Sequence, residues 1–220
     1  MTISSIITPM NFSLVQSAIC QMLANERDNQ IELAESGGAT DEWISQTIDF
    51  TIYPKRFRIP DYSEMPCVYV YFNEMSFPEN QQDAFENYAL ANLSVDYFAV
   101  GKNEIEGGKI IKTADENADD RLNYMTAQIY KTFCSESNLK NATNNLVRHS
   151  VLRNWKRIAS PDDDNTVATV LAAQFNFELG FDEPTYYSDT VKIHEFFTSL
   201  HISDEYISPL VKIILVGNQT

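Results

Sequence analysis

The sequence has few cysteines and few positive charges. Its three cysteines, Cys20, Cys67 and Cys134, lie far apart, and none stands in a CxxC pair. This spacing excludes a CxxC zinc or redox motif and predicts three small apolar residues in a reducing compartment. Only 16 basic residues stand against 31 acidic ones, which gives a net charge of −15. Because such a charge repels phosphate at long range, nucleic-acid binding by the whole surface is disfavoured.

Motifs for catalysis and nucleotide binding are also absent. The sequence has no Walker A, GxGxxG, GxSxG or HExxH pattern, and His149, His194 and His201 are scattered along it. An isolated histidine is more often a hydrogen-bonded surface or core residue than a metal ligand or a base. We therefore predict a protein that is not an enzyme, with no catalytic residue, no cofactor and no metal.

Long apolar runs are missing as well, although the composition is that of a folded protein. No run reaches the 18 or so apolar residues of a membrane span, and "MTISSIITPMNFS" is not predicted as a secretory signal. Apolar residues make up 44% of the chain and aromatic residues 12%, more than a disordered chain carries. We predict a single folded domain over residues 1–220, without a membrane partner.

The first half of the chain predicts one helix and three strands. Apolar residues at helical spacing indicate a helix over residues 9–27, followed by an exposed loop over 26–42 with its break at Gly37 and Gly38. "TIDFTIYPKRF" is typical of an edge strand because of Pro54. The segment 67–72 is apolar on both faces, as in a strand covered on both sides. The segment 88–100 alternates and predicts a strand whose Asn92, Ser94 and Asp96 face solvent.

The second half predicts a helix and a long hairpin. Thr113 and Glu116 form a capping box ahead of a helix with an apolar stripe from Ala118 to Phe133. Apolar residues at odd positions 167–181 predict a strand of about fifteen residues, whose end we expect to project beyond the core. Val147, Val151 and Trp155 alternate on the predicted partner strand, and "ASPDDDN" is the predicted turn. A short helix, "KIHEFFTSL", and a last strand, "PLVKIILVG", are predicted in a C-terminal extension over 183–220. The fold class is α+β, a mixed β-sheet flanked by helices with a long β-hairpin.

Basic residues gather on the first strand of this hairpin, directly before an acidic run. Such an arrangement can hold a polynucleotide, surround a metal or meet another subunit. The acidic run lacks the spacing of an EF-hand and is predicted as a solvated turn rather than a metal site. The candidate interface residues, for a subunit or a tail tube, are Arg148, Arg153, Trp155, Lys156, Arg157, Asp162, Asp163 and Asp164.

The order of these elements resembles that of tailed-phage tail terminator proteins. The shared patterns are a "P-x-VYV" strand entry at Pro66, Val68, Tyr69 and Val70, an "A-D" helix opening at Ala114 and Asp115, and a late strand of the form "A-x-x-F-x-V/F-x-Y/F". The resemblance covers residues 65–182, which form the predicted core. The segments 26–42 and 73–88 and the chain after residue 182 have no counterpart in that pattern.

The resemblance implies a structural protein of the virion. Terminators form a ring, commonly a hexamer, that caps the tail tube at full length and joins it to the neck. The implied partners are copies of the chain itself, a tail tube protein and a neck or connector protein, with passing contact to genomic DNA in the lumen. The implied location is the tail-neck junction, reached from the host cytoplasm during assembly.

Three alternatives remain open at the level of the sequence. The first is a neck or head-completion protein of similar fold. The second is a DNA-binding module that uses the basic strand over residues 148–157, with His149 among its contacts. The third is a hydrolase that holds a divalent metal on Asp162, Asp163 and Asp164.

Overall fold

The computed structural model describes residues 10–55, 60–78, 86–158 and 168–184. Its helices are α1 (Asn11–Ser36), α2 (Asp41–Thr47), α3 (Ala114–Cys134) and α4 (Glu136–Ala142), with a 3₁₀ turn at Tyr62–Glu64. Its strands are β1 (Thr51–Tyr53), β2 (Cys67–Ser76), β3 (Glu86–Lys102), β4 (Glu104–Glu106), β5 (Lys109–Lys112), β6 (Val147–Ile158) and β7 (Ala168–Pro184). The predicted turn over residues 159–165, the predicted strand position Val167 and the extension beyond residue 184 lie outside these ranges.

Five strands form one mixed sheet in the order β1-β2-β3-β7-β6, and β4 and β5 form a separate hairpin. The β1–β2 pair is parallel, whereas β2–β3, β3–β7 and β7–β6 are antiparallel. The predicted α+β class and the long β6–β7 hairpin are therefore confirmed. The predicted edge strand corresponds to β1, which pairs with β2 only from Cys67 to Tyr69.

The two faces of the sheet differ in what covers them. One face, here called the helix face, packs the odd-numbered side chains of β3 and β7 against apolar residues of α1 and α3, among them Ile19 and Leu122. The other, here called the far face, carries a smaller apolar cluster around Tyr69 and Phe98. Residues on both faces of β2 are buried, as predicted from its continuous apolar run.

The first helix is longer than predicted. The expected loop over residues 26–42 is wrong up to Ser36, where α1 ends, and α2 then begins at Asp41. No Gly or Pro interrupts the chain between Arg27 and Ser36, and the Arg27 guanidinium donates to the Phe50 carbonyl, which holds this part of the helix against the domain. Gly37 and Gly38 do break the helix, as predicted, and Gly38 has a φ of 82°.

The cap of α1 comes from β7, which also extends further than predicted. The backbone amides of Asn11 and Phe12 donate to the Glu183 carboxylate at 2.8 and 2.5 Å. Glu183 is buried, and this desolvation raises its pKa although the two hydrogen bonds oppose the shift. Residues 183 and 184 therefore belong to the sheet and not to the C-terminal extension.

The expected projection of the long strand is also wrong. β7 has 17 residues, and β3 has the same length and pairs with it from Ala168 to Pro184. The strand is long because a second long strand accompanies it over its whole length. The sequence pattern predicts only thirteen residues for β3, so it does not predict a strand pair of this length.

The capping box of α3 is confirmed. The Glu116 amide donates to the Thr113 hydroxyl, and the Thr113 amide donates to the Glu116 carboxylate at 2.9 Å. Both bonds satisfy amides that a helix start leaves without an intrahelical partner.

We expect Thr113→Ala to lower the free energy of unfolding by about 1 kcal/mol, because a first-turn amide loses its acceptor. Urea denaturation measures the change. Ser135→Ala is the matched control, since Ser135 stands at the N-cap of α4 without a side-chain capping bond. Equal losses in both variants would show that the Thr113 hydroxyl does not act as a cap.

Candidate interface on the edge strand

Strand β6 forms one edge of the sheet and is largely exposed. Among the described strands it pairs only with β7, and of its twelve residues only Val147 is fully buried. Four basic side chains and no acidic one lie on this strand. An exposed edge of this length presents unpaired backbone groups to a partner strand or to another subunit.

Two β-bulges divide the basic residues between the two faces of the sheet. The register with β7 shifts at Arg148 and again at Arg153. As a result Val151 lies opposite Glu178 on the far face, whereas Val147 and Trp155 lie opposite Phe181 and Phe175 on the helix face. The prediction that these three apolar residues share one face is therefore wrong. A simple period of two cannot reveal a bulge, which adds one residue to one strand only.

The far-face arginines are paired with acidic residues of β7. The Arg148 guanidinium forms an ion pair with Asp182. Arg153 donates to Glu178 Oε1 at 2.6 Å, and His149 Nε2 lies 3.7 Å from the same oxygen. The hydrogen bond from Arg153 lowers the pKa of Glu178. Ion pairs as exposed as these contribute little to stability, so their main effect is to balance charge along the strand.

The helix-face arginine is paired with α3. Arg157 donates to Asp119 Oδ1 at 2.6 Å and so connects the end of β6 to the first turns of the helix. Asp115, one turn earlier, accepts a hydrogen bond from the Thr169 hydroxyl of β7. The acidic residues at the start of α3 therefore bind the hairpin as well as favouring the helix dipole.

All three arginines of the candidate interface thus have acidic partners within their own chain. The sequence, in contrast, predicts that these residues contact another subunit or a tail tube. The local pairs do not exclude such a contact, but they reduce the net charge that β6 presents to it. A charge reversal at Arg153 or Arg157 would place two carboxylates together inside the subunit, so it is not a clean test of assembly.

Trp155 is anchored at its nitrogen and exposed over its ring. Its Nε1 donates to the Tyr97 hydroxyl at 2.6 Å, and that oxygen lies 2.7 Å from the Thr126 hydroxyl. Trp155 is still 42% exposed and lies opposite Phe175, on whose ring Tyr130 stacks. A fixed aromatic ring with an exposed surface is typical of protein interfaces, because little conformational entropy is lost when it is covered.

A row of hydrogen-bonded polar side chains crosses the far face. Asn73 donates to the Ser94 hydroxyl, Ser94 donates to Asn176 at 2.6 Å, and Asn176 donates to Asn154 at 2.7 Å. The row therefore links β2, β3, β7 and β6. Ser94 and Asp96 are buried, which corrects the prediction for these two positions, whereas Asn92 is exposed as predicted.

Asp96 lies beside this row and is buried with two donors. The Tyr71 hydroxyl donates to one carboxylate oxygen at 2.7 Å, and Gln174 donates to the other at 2.5 Å. Burial raises the pKa of Asp96 despite both hydrogen bonds and the nearby Lys156. The sequence reasoning missed this cluster because it treated each strand alone. The matching signal was present, since polar residues occupy alternate positions in both β3 and β7.

The raised pKa of Asp96 predicts a component of stability that falls as the pH rises. The folded state holds the proton more tightly than the unfolded state, so this component is lost as the pH rises above about 4, the usual pKa of an aspartate. Asp96→Asn should remove it, so that the variant gains stability relative to the wild type between pH 4 and 7. Urea denaturation across that range measures the difference. Glu106→Gln controls for the loss of one negative charge, and parallel curves for wild type and Asp96→Asn would contradict the prediction.

Metal-binding groups and membrane-spanning helices can be assessed only for the residues that the structure describes. There, no group of three or more His, Cys, Asp or Glu side chains is arranged to hold a metal ion. Asp162, Asp163 and Asp164, the residues of the metal alternative, lie outside it. None of the helices described is long and apolar enough to cross a membrane.

Neither the family models nor the curated proteins that were searched match the chain.

Proposed function

We propose that this chain is a non-enzymatic structural subunit of a phage tail, which closes into a ring, caps the tail tube and joins it to the neck. The observation that carries the proposal is the twelve-residue exposed edge strand β6 with Trp155 on it. A soluble monomer normally shortens, covers or bends away such an edge. The two bulges twist β6 but leave most of its side chains in solvent.

We expect a second copy of the chain to bind the exposed edge of β6. Contacts between identical subunits in a ring are heterologous, so one surface of each subunit meets a different surface of the next. Strand β6 is basic in a chain of net charge −15, and every copy therefore offers acidic surface to the strand of its neighbour. The basic charge that the intrachain ion pairs leave on β6 favours an acidic partner surface, whereas Trp155 supplies apolar area.

The order of the helices and strands also supports the resemblance to tail terminators, and this argument does not depend on the charges of β6. A helix, a buried strand, a long strand, an acidic-capped helix and a long hairpin occur in the order that the resemblance implies. Under this proposal the protein is located at the tail-neck junction of the virion. The partners that follow are the tail tube protein and a neck or connector protein, and assembly would take place in the host cytoplasm.

A neck or head-completion protein is the alternative within the same class, since it would use the same exposed edge. The DNA-binding alternative is weaker on physical grounds. Arg148, Arg153 and Arg157 each have a carboxylate partner within the subunit, so phosphate would have to displace Asp182, Glu178 or Asp119. We therefore limit DNA to a passing contact in the lumen of the ring.

Negative-stain imaging of tail tubes grown with and without the chain tests the proposal. We expect the chain to bind one end of each tube as a ring and to stop further growth at that end. Binding to a connector ring but never to a tube would assign the chain to the neck instead. Tight binding to short duplex DNA with a steep salt dependence, without binding to tubes, would overturn the proposal in favour of the DNA-binding module.

A further inference from the structure

The β4–β5 hairpin carries three exposed isoleucines, Ile105, Ile110 and Ile111. It joins β3 to α3 and turns at Gly107 and Gly108, which have φ values of 58° and 76°. Ile105 lies directly opposite Ile110, and Ile111 occupies the irregularity in the register. The three residues are 67%, 56% and 59% exposed, in that order. Isolated exposed apolar residues are common, but three exposed isoleucines within one short hairpin favour a partner.

The base of this hairpin is held firmly although its tip is exposed. The Ala114 amide donates to Asn103 at 2.7 Å, and Asn117 donates to the Lys102 carbonyl at 2.7 Å. Lys112 forms an ion pair with Asp120 of α3 at 2.6 Å. A two-stranded hairpin gains little from its own pairing in water. The isoleucines are therefore presented in a fixed position that packing within the described fold does not explain.

A groove with a mixed apolar and basic lining lies at the opposite end of strands β6 and β7 from the isoleucine hairpin. It has a volume of about 400 Å³ and lies between the end of α3, α4 and the start of β6. Its apolar lining comes from Phe133, Leu139, Val147, Leu152 and Phe177, and Ser150 of the exposed edge strand lies at its side. The groove can therefore accept aliphatic side chains that arrive beside the outer edge of β6, which has no partner among the described strands.

The groove and the isoleucine hairpin of one chain cannot meet each other. Lys102, at the base of the hairpin, pairs with Ala168 at the start of β7, whereas Phe177 lies nine residues further along the same strand. At the usual rise of a strand this separation is roughly 30 Å. Within the described part of the chain, neither surface can therefore serve as the partner of the other.

Their charges are complementary. Segment 102–120, which includes the hairpin and the first turns of α3, carries six acidic and three basic side chains. The lining of the groove includes the basic residues Lys140 and Arg148 and no acidic residue among the described ones. Opposite charges around an apolar centre favour one orientation of docking and disfavour like surfaces meeting each other.

We propose that Ile105, Ile110 and Ile111 of one copy insert into the groove beside β6 of the next copy. This contact deepens the proposed ring, on which it rests, by naming the two surfaces that meet. Because the surfaces differ, the contact is head-to-tail, and repeating it gives a closed ring or an open helix but not a symmetric dimer. The hairpin is the donor element, and the groove with its edge strand is the acceptor.

Two variants separate donor from acceptor. Ile105→Ser, Ile110→Ser and Ile111→Ser together remove the apolar patch, and Ser150→Trp fills the groove from an exposed position. We expect each variant, studied under conditions in which the wild type assembles, to lose assembly by at least tenfold in concentration. Leu33→Ser is the matched control, because Leu33 is 58% exposed on α1 and belongs neither to the hairpin nor to the lining of the groove. This control should assemble as the wild type does.

Mixing the two variants gives the decisive result. The triple variant keeps an intact groove and Ser150→Trp keeps an intact hairpin, so together they form one working contact and stop at a 1:1 pair. Sedimentation over a concentration series detects that pair, and its formation also shows that both variants are folded. Normal assembly of the triple variant, or the absence of a 1:1 pair in the mixture, would overturn the inference.

These experiments test the hairpin–groove contact separately from the proposed function. If the wild type caps tubes and the triple variant caps them equally well, the function stands and the hairpin contact is wrong. If the 1:1 pair forms but the wild type never binds a tube, the contact stands and the assignment to the tail is wrong.

Discussion

Gly101→Ala should destabilise the chain by more than about 3 kcal/mol, at the upper end of the cost of overpacking a well-packed site. Gly101 lies near the end of β3, where α3 begins against it. A Cβ atom there would lie 2.0 Å from the Ala114 carbonyl oxygen and 2.3 Å from the Ala118 nitrogen. Both atoms belong to helix backbone that the capping box holds in place, so neither can move without displacing α3. Chemical denaturation, or the yield of soluble protein, measures the loss.

Gly180→Ala is the matched control for this prediction. A Cβ atom at Gly180 would also overlap a neighbour, but that neighbour is the Tyr88 hydroxyl at 1.9 Å, the far end of a flexible side chain. The Tyr88 ring can rotate away, so we expect a smaller loss than at Gly101. If the two variants were equally stable, the β3–α3 contact would be looser than the structure indicates.

Phe177→Ala should lower the free energy of unfolding by about 3 to 5 kcal/mol, the usual cost of removing a buried phenylalanine. Phe177 is buried on the helix face of β7, and its ring stacks on that of Phe133 with the centroids 4.3 Å apart. The substitution leaves a cavity between sheet and helix and enlarges the neighbouring groove. Thermal or urea unfolding measures the change.

Phe177→Leu keeps most of the apolar volume and should cost clearly less than Phe177→Ala. Ile110→Ala serves as a second control, because Ile110 is exposed and its truncation should leave the stability of the isolated subunit almost unchanged. Equal stability of Phe177→Ala and the wild type would contradict the assignment of this ring to the core.

The sequence predicts features that depend on neighbours along the chain. The capping box at Thr113 and Glu116 and the apolar stripe of α3 are local, and both are confirmed. The odd-numbered apolar residues of β7 are also confirmed as one buried face, because a period of two holds wherever a strand has no bulge. These local patterns were sufficient for the fold class.

Features that depend on pairing between distant segments were missed. Glu183 caps α1 from 171 and 172 residues away, and its own neighbours in sequence do not indicate this role. The bulges at Arg148 and Arg153 place the basic residues on two faces, which only the register with β7 reveals. Burial of Ser94 and Asp96 follows from matching polar positions on the strands beside β3. The partners of the candidate interface were therefore beyond what the sequence pattern could predict.

The central claim is that this chain closes into a ring by contacts between identical subunits. The most direct test is its mass in solution, measured by native mass spectrometry alone and after addition of tail tube protein. One closed species is expected in at least one of the two conditions, at a fixed multiple of 25.1 kDa and with six subunits as the expected number. A chain that stays monomeric in both conditions, or that forms a symmetric dimer and nothing larger, would contradict the claim.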